Sequence, residues 1–366
     1  MERERTSVGL DVHARSVVAC GLDDQTGEVF KARLRPEPEA IRGWLRELPA
    51  PVAAVYEAGP TGFGLARYLN GRGMKCLVAA PSKLHRPPGD RVKTDANDAL
   101  LLARLLRLGE IVEVTVPSVE QEAARDLVRA REDVRGDLMR GRHRVSKLLL
   151  RQGIVWSGGT AWTIAHHDWL RRQRFTQPAL GVAYDSALET VLLTADRRDR
   201  LDEVIVAMAA EPAWAPTVTR LSCLRGVSTL TAFALAVEVG DWSRFTGSSI
   251  GAFLGLVPTE HSSGHSRSQG SITKTGNTHA RRLLVEAAWH HKKPYRTPSK
   301  AMRTRWAQAP AGARARGHAG NQRLHQRWQV FEARKKRRVI ANVAVARELA
   351  GWCWSLATME GAGGTH

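Results

Sequence analysis

The first 110 residues alternate short apolar runs with helix-spaced segments, and the order of these pieces limits the fold more than any other feature of the chain. Ser7–Val12 and Ser16–Leu22 are apolar runs separated by a turn, and Val29–Arg33 follows Gly27, so the three read as a meander of strands. Pro38–Leu48 then carries helical spacing. Val52–Tyr56 is a strand of the fully buried type ending at Glu57, Gly62–Gly71 is a helix, and Lys75–Ala79 is a further strand. Thr94–Leu108 closes the series as a helix with a nearly continuous Leu/Ala face. A dinucleotide-binding sheet would instead begin βαβ, with a glycine-rich turn after its first strand, and this sequence has no such turn.

The order βββαβαβα predicts an α/β N-terminal domain of ribonuclease-H/RuvC-like fold over residues 1–112. Residues 118–152 read as one long amphipathic helix, with Leu127, Val134, Leu138, Val145 and Leu149 at steps of seven and four. Ala187–Ala209 is a second such helix. With the Trp-containing stretch 154–183 between them, the two predict a helical coiled-coil linker over 113–212. Such an antiparallel arm either joins subunits or packs within one chain. Residues 213–366 are expected to form a mostly α-helical C-terminal domain. Within it, Gly226 marks a turn before an apolar helix, which lets backbone approach phosphate at the helix N-terminus. A polar stretch, Thr259–Thr278, reads as a loop, followed by apolar helices at His279–Trp289 and Val339–Leu356.

Charge narrows the partner. The chain carries 55 Lys and Arg against 36 Asp and Glu, a formal net charge of +19. That balance favours a polyanion, because each phosphate neutralised releases condensed counterions. Residues 291–340 hold 15 Lys and Arg against the one acid Glu332, and include the run Lys335, Lys336, Arg337, Arg338. Trp306, Trp328 and Phe331 lie among these charges. Together they predict a surface that tracks a phosphate backbone and stacks bases, the plainer alternative being a solvated helix face. Cys20, Cys76, Cys223 and Cys353 form no CxxC pair and lie in apolar surroundings, so buried free thiols are expected and a zinc site is not. The first ten residues lack the apolar stretch of a signal peptide, and no apolar run spans a bilayer. The expectation is a cytoplasmic, nucleoid-associated protein with no membrane partner.

Four acids stand where chemistry is expected. Asp11 interrupts the apolar first strand, where a carboxylate is costly unless a cation meets it. Glu57 follows the fourth strand. Asp95 and Asp98, three apart, share one face of a helix. Singly, each has a plain reading: Asp95 as an N-cap, Asp98 as a first-turn acid favoured by the helix dipole, Asp11 as the partner of a Lys or Arg. In a sheet of this order the first and fourth strands are neighbours, and the four carboxylates converge. Hard oxygen ligands of this kind suit Mg²⁺ or Mn²⁺, and two such ions roughly 4 Å apart serve phosphoryl transfer.

At these residues the sequence resembles a known family. GLDVHARSVVAC, VYEAGPTGFGLARYL and KTDANDALLLARLL look like the N-terminal domain of the DEDD transposases of the insertion sequence 110 family, which includes the Piv invertases. LRGVSTLTAFALAVEVGDWSRF, FLGLVPTEHSSG and GSITKTGNTHARRLLVEAAW are similar to that family's C-terminal transposase domain. The resemblance implies an RNA-guided, Mg²⁺-dependent recombinase that cleaves and rejoins double-stranded DNA. It implies a homo-oligomer, dimer or tetramer, and guidance by a structured non-coding RNA. It also implies a serine nucleophile, carried over to Ser262 in His261-Ser-Ser-Gly264, with Ser263 second. Lys274, Asn277, Arg281 and Arg282 just beyond are candidate phosphate contacts, as are Gly226 and Lys335–Arg338. Two rivals remain open at the level of sequence: a Holliday-junction-resolvase-like nuclease using water, and a non-catalytic RNA- or DNA-binding derivative.

Overall fold

A computed structural model describes residues 4–84, 94–263 and 266–359. The chain forms two compact units, Met1–Ser118 and Val119–His366.

The first unit is built on one five-stranded sheet. Its elements are β1 (Thr6–Val12), β2 (Val17–Asp23), β3 (Val29–Leu34), α1 (Pro38–Glu47), β4 (Val52–Glu57), α2 (Gly64–Asn70), β5 (Lys75–Ala79) and α3 (Asp95–Leu108). The strand order is β3-β2-β1-β4-β5. β1–β3 form an antiparallel meander, whereas β4 and β5 run parallel to β1. Every strand and helix expected for this region is present, with ends shifted by a residue or two. Val8, Leu10, Ile41, Leu45, Tyr56 and Leu69 form the core between the sheet, α1 and α2. Val55, Ala79 and Leu102 form a smaller cluster toward α3.

Among its described residues, the second unit is helical apart from one hairpin. α4 (Val119–Arg151), α5 (Ile164–Arg171) and α6 (Pro178–Ala209) make the arm. α4 and α6 run antiparallel: Arg131 Nε pairs with Asp202 Oδ1 at 2.6 Å, while Gly141 lies against Val191. Leu138, Val145, Leu170, Tyr184, Leu188 and Val191 give the arm a core of its own. α6 begins at Pro178, well before the expected Ala187. Its first turns are mostly exposed and show no apolar stripe, but the Tyr184 hydroxyl donates to the Leu170 carbonyl at 2.8 Å and fixes them to α5.

The remainder comprises α7 (Ala215–Leu221), α8 (Thr229–Val239), α9 (Ser249–Phe253), β6 (Pro258–Ser263), β7 (Ser266–Ile272), α10 (Thr278–Ala288), α11 (Lys300–Trp306), α12 (Ala311–Ala333) and α13 (Arg338–Ala357). α8 is buried along most of its length, from Ala232 to Val239. All four cysteines are buried and free, as expected. The expected base-stacking aromatics are not at the surface: Trp306, Trp328 and Phe331 belong to the core. Leu324, Trp328 and Phe331 recur at helical spacing along α12, so they form its inward stripe, and the Trp328 indole donates to the Ala288 carbonyl at 3.3 Å. Among the described residues, no helix is long and apolar enough to cross a membrane.

Candidate functional site

β1 carries Asp11 near its end, and His13 follows two residues later. Residues two apart on a strand share a face, and His13 Nε2 stands 3.2 Å from Asp11 Oδ2. α3 supplies Asp95 from its first turn. Gly9 sets that approach. A Cβ there would lie 2.6 Å from Ala103 N and 2.8 Å from Leu102 Cβ and would collide with the Ala99 carbonyl oxygen, so the helix backbone rests directly on β1. Thr94 caps α3, its hydroxyl accepting from Asn97 N at 3.2 Å. Asp95 is therefore the first helical residue and not the cap.

Asp95 Oδ1 lies 3.8 Å from His13 Nε2, and one donor atom from each of Asp11, His13 and Asp95 lies within 4.8 Å of the others. Asp11 is half-buried and Asp95 exposed, so a ligand reaches the trio from solvent. Two carboxylates and an imidazole at this separation are a donor set for a divalent cation. Glu57 ends β4. Leu10 pairs with Tyr56 in the parallel register, so Asp11 and Glu57 follow side by side on neighbouring strands. Asp98 is half-buried in the first turn of α3. The structure thus unites Asp11 and Asp95, while Glu57 and Asp98 stand outside the tight trio. His13 is the residue that reading the acids alone misses. Its signal was the Asp-Val-His alternation at the strand end.

In the second unit, the expected polar loop is an antiparallel ribbon. β6 pairs with β7, with Ser262 opposite Arg267 and Ser263 opposite Ser266. Ser, Thr, Gln and Arg on both strands leave no apolar alternation, so the sequence gives no strand signal there. Gly264 of the Ser-Ser-Gly motif lies outside the described residues, as does Lys93 before the acid pair.

Beyond the ribbon, a buried carboxylate ties three helices together. Glu238 on α8 accepts from Arg129 on α4 through both oxygens at 3.0 Å, and from Asn277 Nδ2, beside α10, at 2.6 Å. His279 Nδ1 lies 3.0 Å from Glu238 Oε1. Burial would raise this carboxyl, but hydrogen bonds with His279, Arg129 and Asn277 and the Arg129 charge outweigh it and hold the group down at about 2.

The candidate phosphate contacts differ in what they touch. Asn277 caps α10, its Oδ1 accepting from Ala280 N at 2.9 Å, so its amide is engaged at both ends. Arg281 Nη1 donates to the carbonyls of Leu254 at 3.0 Å and Thr275 at 2.8 Å, and burial lowers its pKa. Arg282 pairs with Glu132 at 2.6 Å and Glu286 at 2.7 Å. Lys274, held at φ +56°, is exposed. Gly226, at φ +79°, has a packing reason to be glycine: a Cβ would lie 2.9 Å from Ala287 Cα and 2.9 Å from His290 Cδ2. Lys335, Lys336, Arg337 and Arg338 are all exposed where α12 turns into α13.

Comparison with known proteins places these residues in a wider setting. Residues 8–153 match the DEDD transposase description of the IS110 type, and residues 218–303 match "Transposase IS116/IS110/IS902 family". The chain is 37% identical to "Putative transposase y4qE" of Sinorhizobium fredii (strain NBRC 101917 / NGR234), over 96% of this chain and 88% of that protein. It is 31% identical to "Transposase for insertion sequence element IS1533" of Leptospira borgpetersenii, over 92% of this chain and 99% of that protein.

Proposed function

The chain belongs to the IS116/IS110/IS902 family of transposases, enzymes acting on DNA, and from that premise we propose that it is an RNA-guided, site-specific recombinase with a Mg²⁺-binding acid site and a serine nucleophile. The observation that carries the metal half is the meeting of Asp11, His13 and Asp95 at the end of β1, the central strand of the sheet. A family of DEDD type goes with divalent-metal dependence, and the donor set here fits such an ion.

Asp11 and Asp95 hold the ion, and Glu57 and Asp98 complete the site from the adjoining strand end and helix turn. The oxygen-rich set favours Mg²⁺, with Mn²⁺ as its substitute. When bound, the ion supplies Lewis-acid polarisation of the scissile phosphate. His13, beside Asp11 in the 3.2 Å contact, fixes the orientation of that carboxylate. A ribonuclease-H/RuvC-like fold for the first unit agrees with its meander followed by two parallel strands.

Ser262 is the proposed nucleophile, with Ser263 second. Its Oγ forms a bond to phosphorus as the bond to the 3′ oxygen breaks, leaving a 5′-phosphoserine and a free 3′ hydroxyl. Attack by a 3′ hydroxyl of the partner strand reverses the step and restores the serine. Bond energy is conserved, so strands are exchanged and not merely cut. The exposed Lys335–Arg338 run supports a nucleic-acid face. It sits at the N-terminus of α13, the helix end where cations add to an already positive dipole. Such a placement favours anion binding over local stability. The guide RNA and a homo-oligomeric state complete the proposal.

The test is product analysis with Mg²⁺ on DNA carrying both element ends and a target, in the presence of RNA transcribed from the element's own flank. Rejoined recombinant product that requires this RNA supports the reading. Nicked DNA alone favours a water-using nuclease, and a metal-independent binder with no cleavage favours a non-catalytic derivative.

A further inference from the structure

A cavity of about 600 Å³ opens in the second unit, beside the first turn of α8. Arg225, Ser228, Thr231, His290, Tyr295 and Arg305 line it. Its volume lies in the range of small-molecule sites, roughly 300–1,000 Å³. Its wall carries one acid, Glu286, and that side chain is already paired with Arg282 at 2.7 Å.

The two arginines are placed differently. Arg225 is braced: its Nη1 donates to the carbonyls of Lys293 at 2.9 Å and Pro294 at 3.3 Å, and its guanidinium lies 5.6 Å from the centre of the Tyr295 ring. Arg305 is not. Its Nε is buried with no hydrogen-bond partner, and among the described residues no carboxylate pairs with it. Burial pushes both guanidinium groups down from their usual range. A cation partly withdrawn from water with no counter-charge costs stability unless something meets it. Ser228 caps α8, accepting from Thr231 N at 3.3 Å, so the cavity also faces the positive end of an eleven-residue helix. Unpaired guanidinium, helix end and hydroxyls all ask for an anion with several acceptor oxygens.

We propose that this cavity seats a phosphodiester group of a bound nucleic-acid strand, with Arg305 as its principal charge contact. The proposal rests on the reading that the chain acts on nucleic acid. Arg305 lies within the strongly basic stretch 291–340. There it differs from the exposed Lys335–Arg338 run in being partly buried at a cavity wall. The strand is either the DNA substrate or an RNA, and the experiment separates the two.

Binding of a labelled DNA duplex and of a labelled single-stranded RNA is followed by anisotropy across a salt series. Arg305→Gln is expected to weaken binding several-fold for the strand that occupies the cavity. It should also flatten the log–log salt slope by about 0.9 for a duplex or about 0.7 for a single strand. Arg305→Lys keeps the charge and should keep the slope. Thr231→Glu guards against a folding artefact. A glutamate at the third position of α8 suits a serine-capped helix but sets a negative charge at the cavity wall, so it should cost affinity without costing stability. The probe that loses affinity identifies the strand. Unchanged slopes for both probes in Arg305→Gln and Thr231→Glu overturn the cavity assignment while leaving the transposase reading intact. Wild-type protein that binds neither probe overturns both.

Discussion

Gly9 on β1 and Ala99 on α3 meet backbone to backbone, with no space between them for a methyl group. This close approach sets the geometry of the candidate metal site. Asp11 lies two residues beyond Gly9, and Asp95 lies one helical turn before Ala99. Pressing the helix on the strand at Gly9 is what carries the two carboxylates to the same place.

Gly9→Ala tests that packing. The added methyl forces α3 away from the sheet, at a cost of about 1–3 kcal/mol typical of overpacking. Thermal melting should register the loss. Strand cleavage should fall further than stability alone explains, because Asp95 moves with the helix.

Asp11→Asn and Asp95→Asn should each abolish cleavage with the melting temperature nearly unchanged, since both side chains reach solvent. Chelation should have the same effect on wild-type protein, and Mg²⁺ or Mn²⁺ should restore activity. His13→Ala is expected to be milder, about 10- to 100-fold in metal affinity or activity. Calorimetric titration of Mn²⁺ into each variant separates lost binding from lost chemistry.

Glu238→Ala should destabilise the second unit by about 3–5 kcal/mol, because it strands Arg129 and His279 around a buried gap. The wild-type protein should show the matching acid sensitivity. The carboxyl is held at about 2 against an ordinary 4.5. Its contribution, about 3 kcal/mol, is therefore complete above pH 4.5 and is lost as pH falls toward 2. Denaturant melts of wild type and Glu238→Ala at neutral pH and near pH 3 check this: the gap between them should shrink with acid.

Replacing Lys335, Lys336, Arg337 and Arg338 together by Gln removes an exposed charge cluster and costs the core only the Lys336 ammonium, which lies 5.0 Å from the centre of the Phe331 ring. Nucleic-acid affinity should drop, and the salt slope should fall by about 0.9 for each duplex phosphate that is no longer neutralised. Melting temperature should hold or rise, because the cations oppose the α13 dipole.

The sequence displays the first unit almost completely, and the reason is physical. Four of its strands are mostly buried, β3 alternates between exposed and half-buried positions, and its helices place apolar residues on the sheet, so the pattern of residues reports each one. The same logic explains what stays hidden. The β6–β7 ribbon has polar residues on both faces, so its period of two carries no hydropathy signal. The first turns of α6 bury little apart from Tyr184. In the basic stretch, Trp328 and Phe331 look like stacking residues because the charges around them dominate the composition, yet the steps of four and then three residues from Leu324 through Trp328 to Phe331 mark an inward face. At the site, the acids were legible as oddities in apolar surroundings. His13 was not, because a lone exposed histidine carries no such contrast until Asp11 and Asp95 stand beside it.

The central claim is that DNA strands are transferred through a serine linked to the metal-dependent reaction. The most direct measurement is mass spectrometry of peptides from protein quenched during cleavage in Mg²⁺. The account predicts a peptide bearing a 5′-phosphate-linked nucleotide at Ser262, present in wild type and absent in Ser262→Ala and in Asp11→Asn. Cleaved DNA with free 5′-phosphate ends and no protein adduct would contradict it, as would an adduct that survives in both Ser262→Ala and Ser263→Ala.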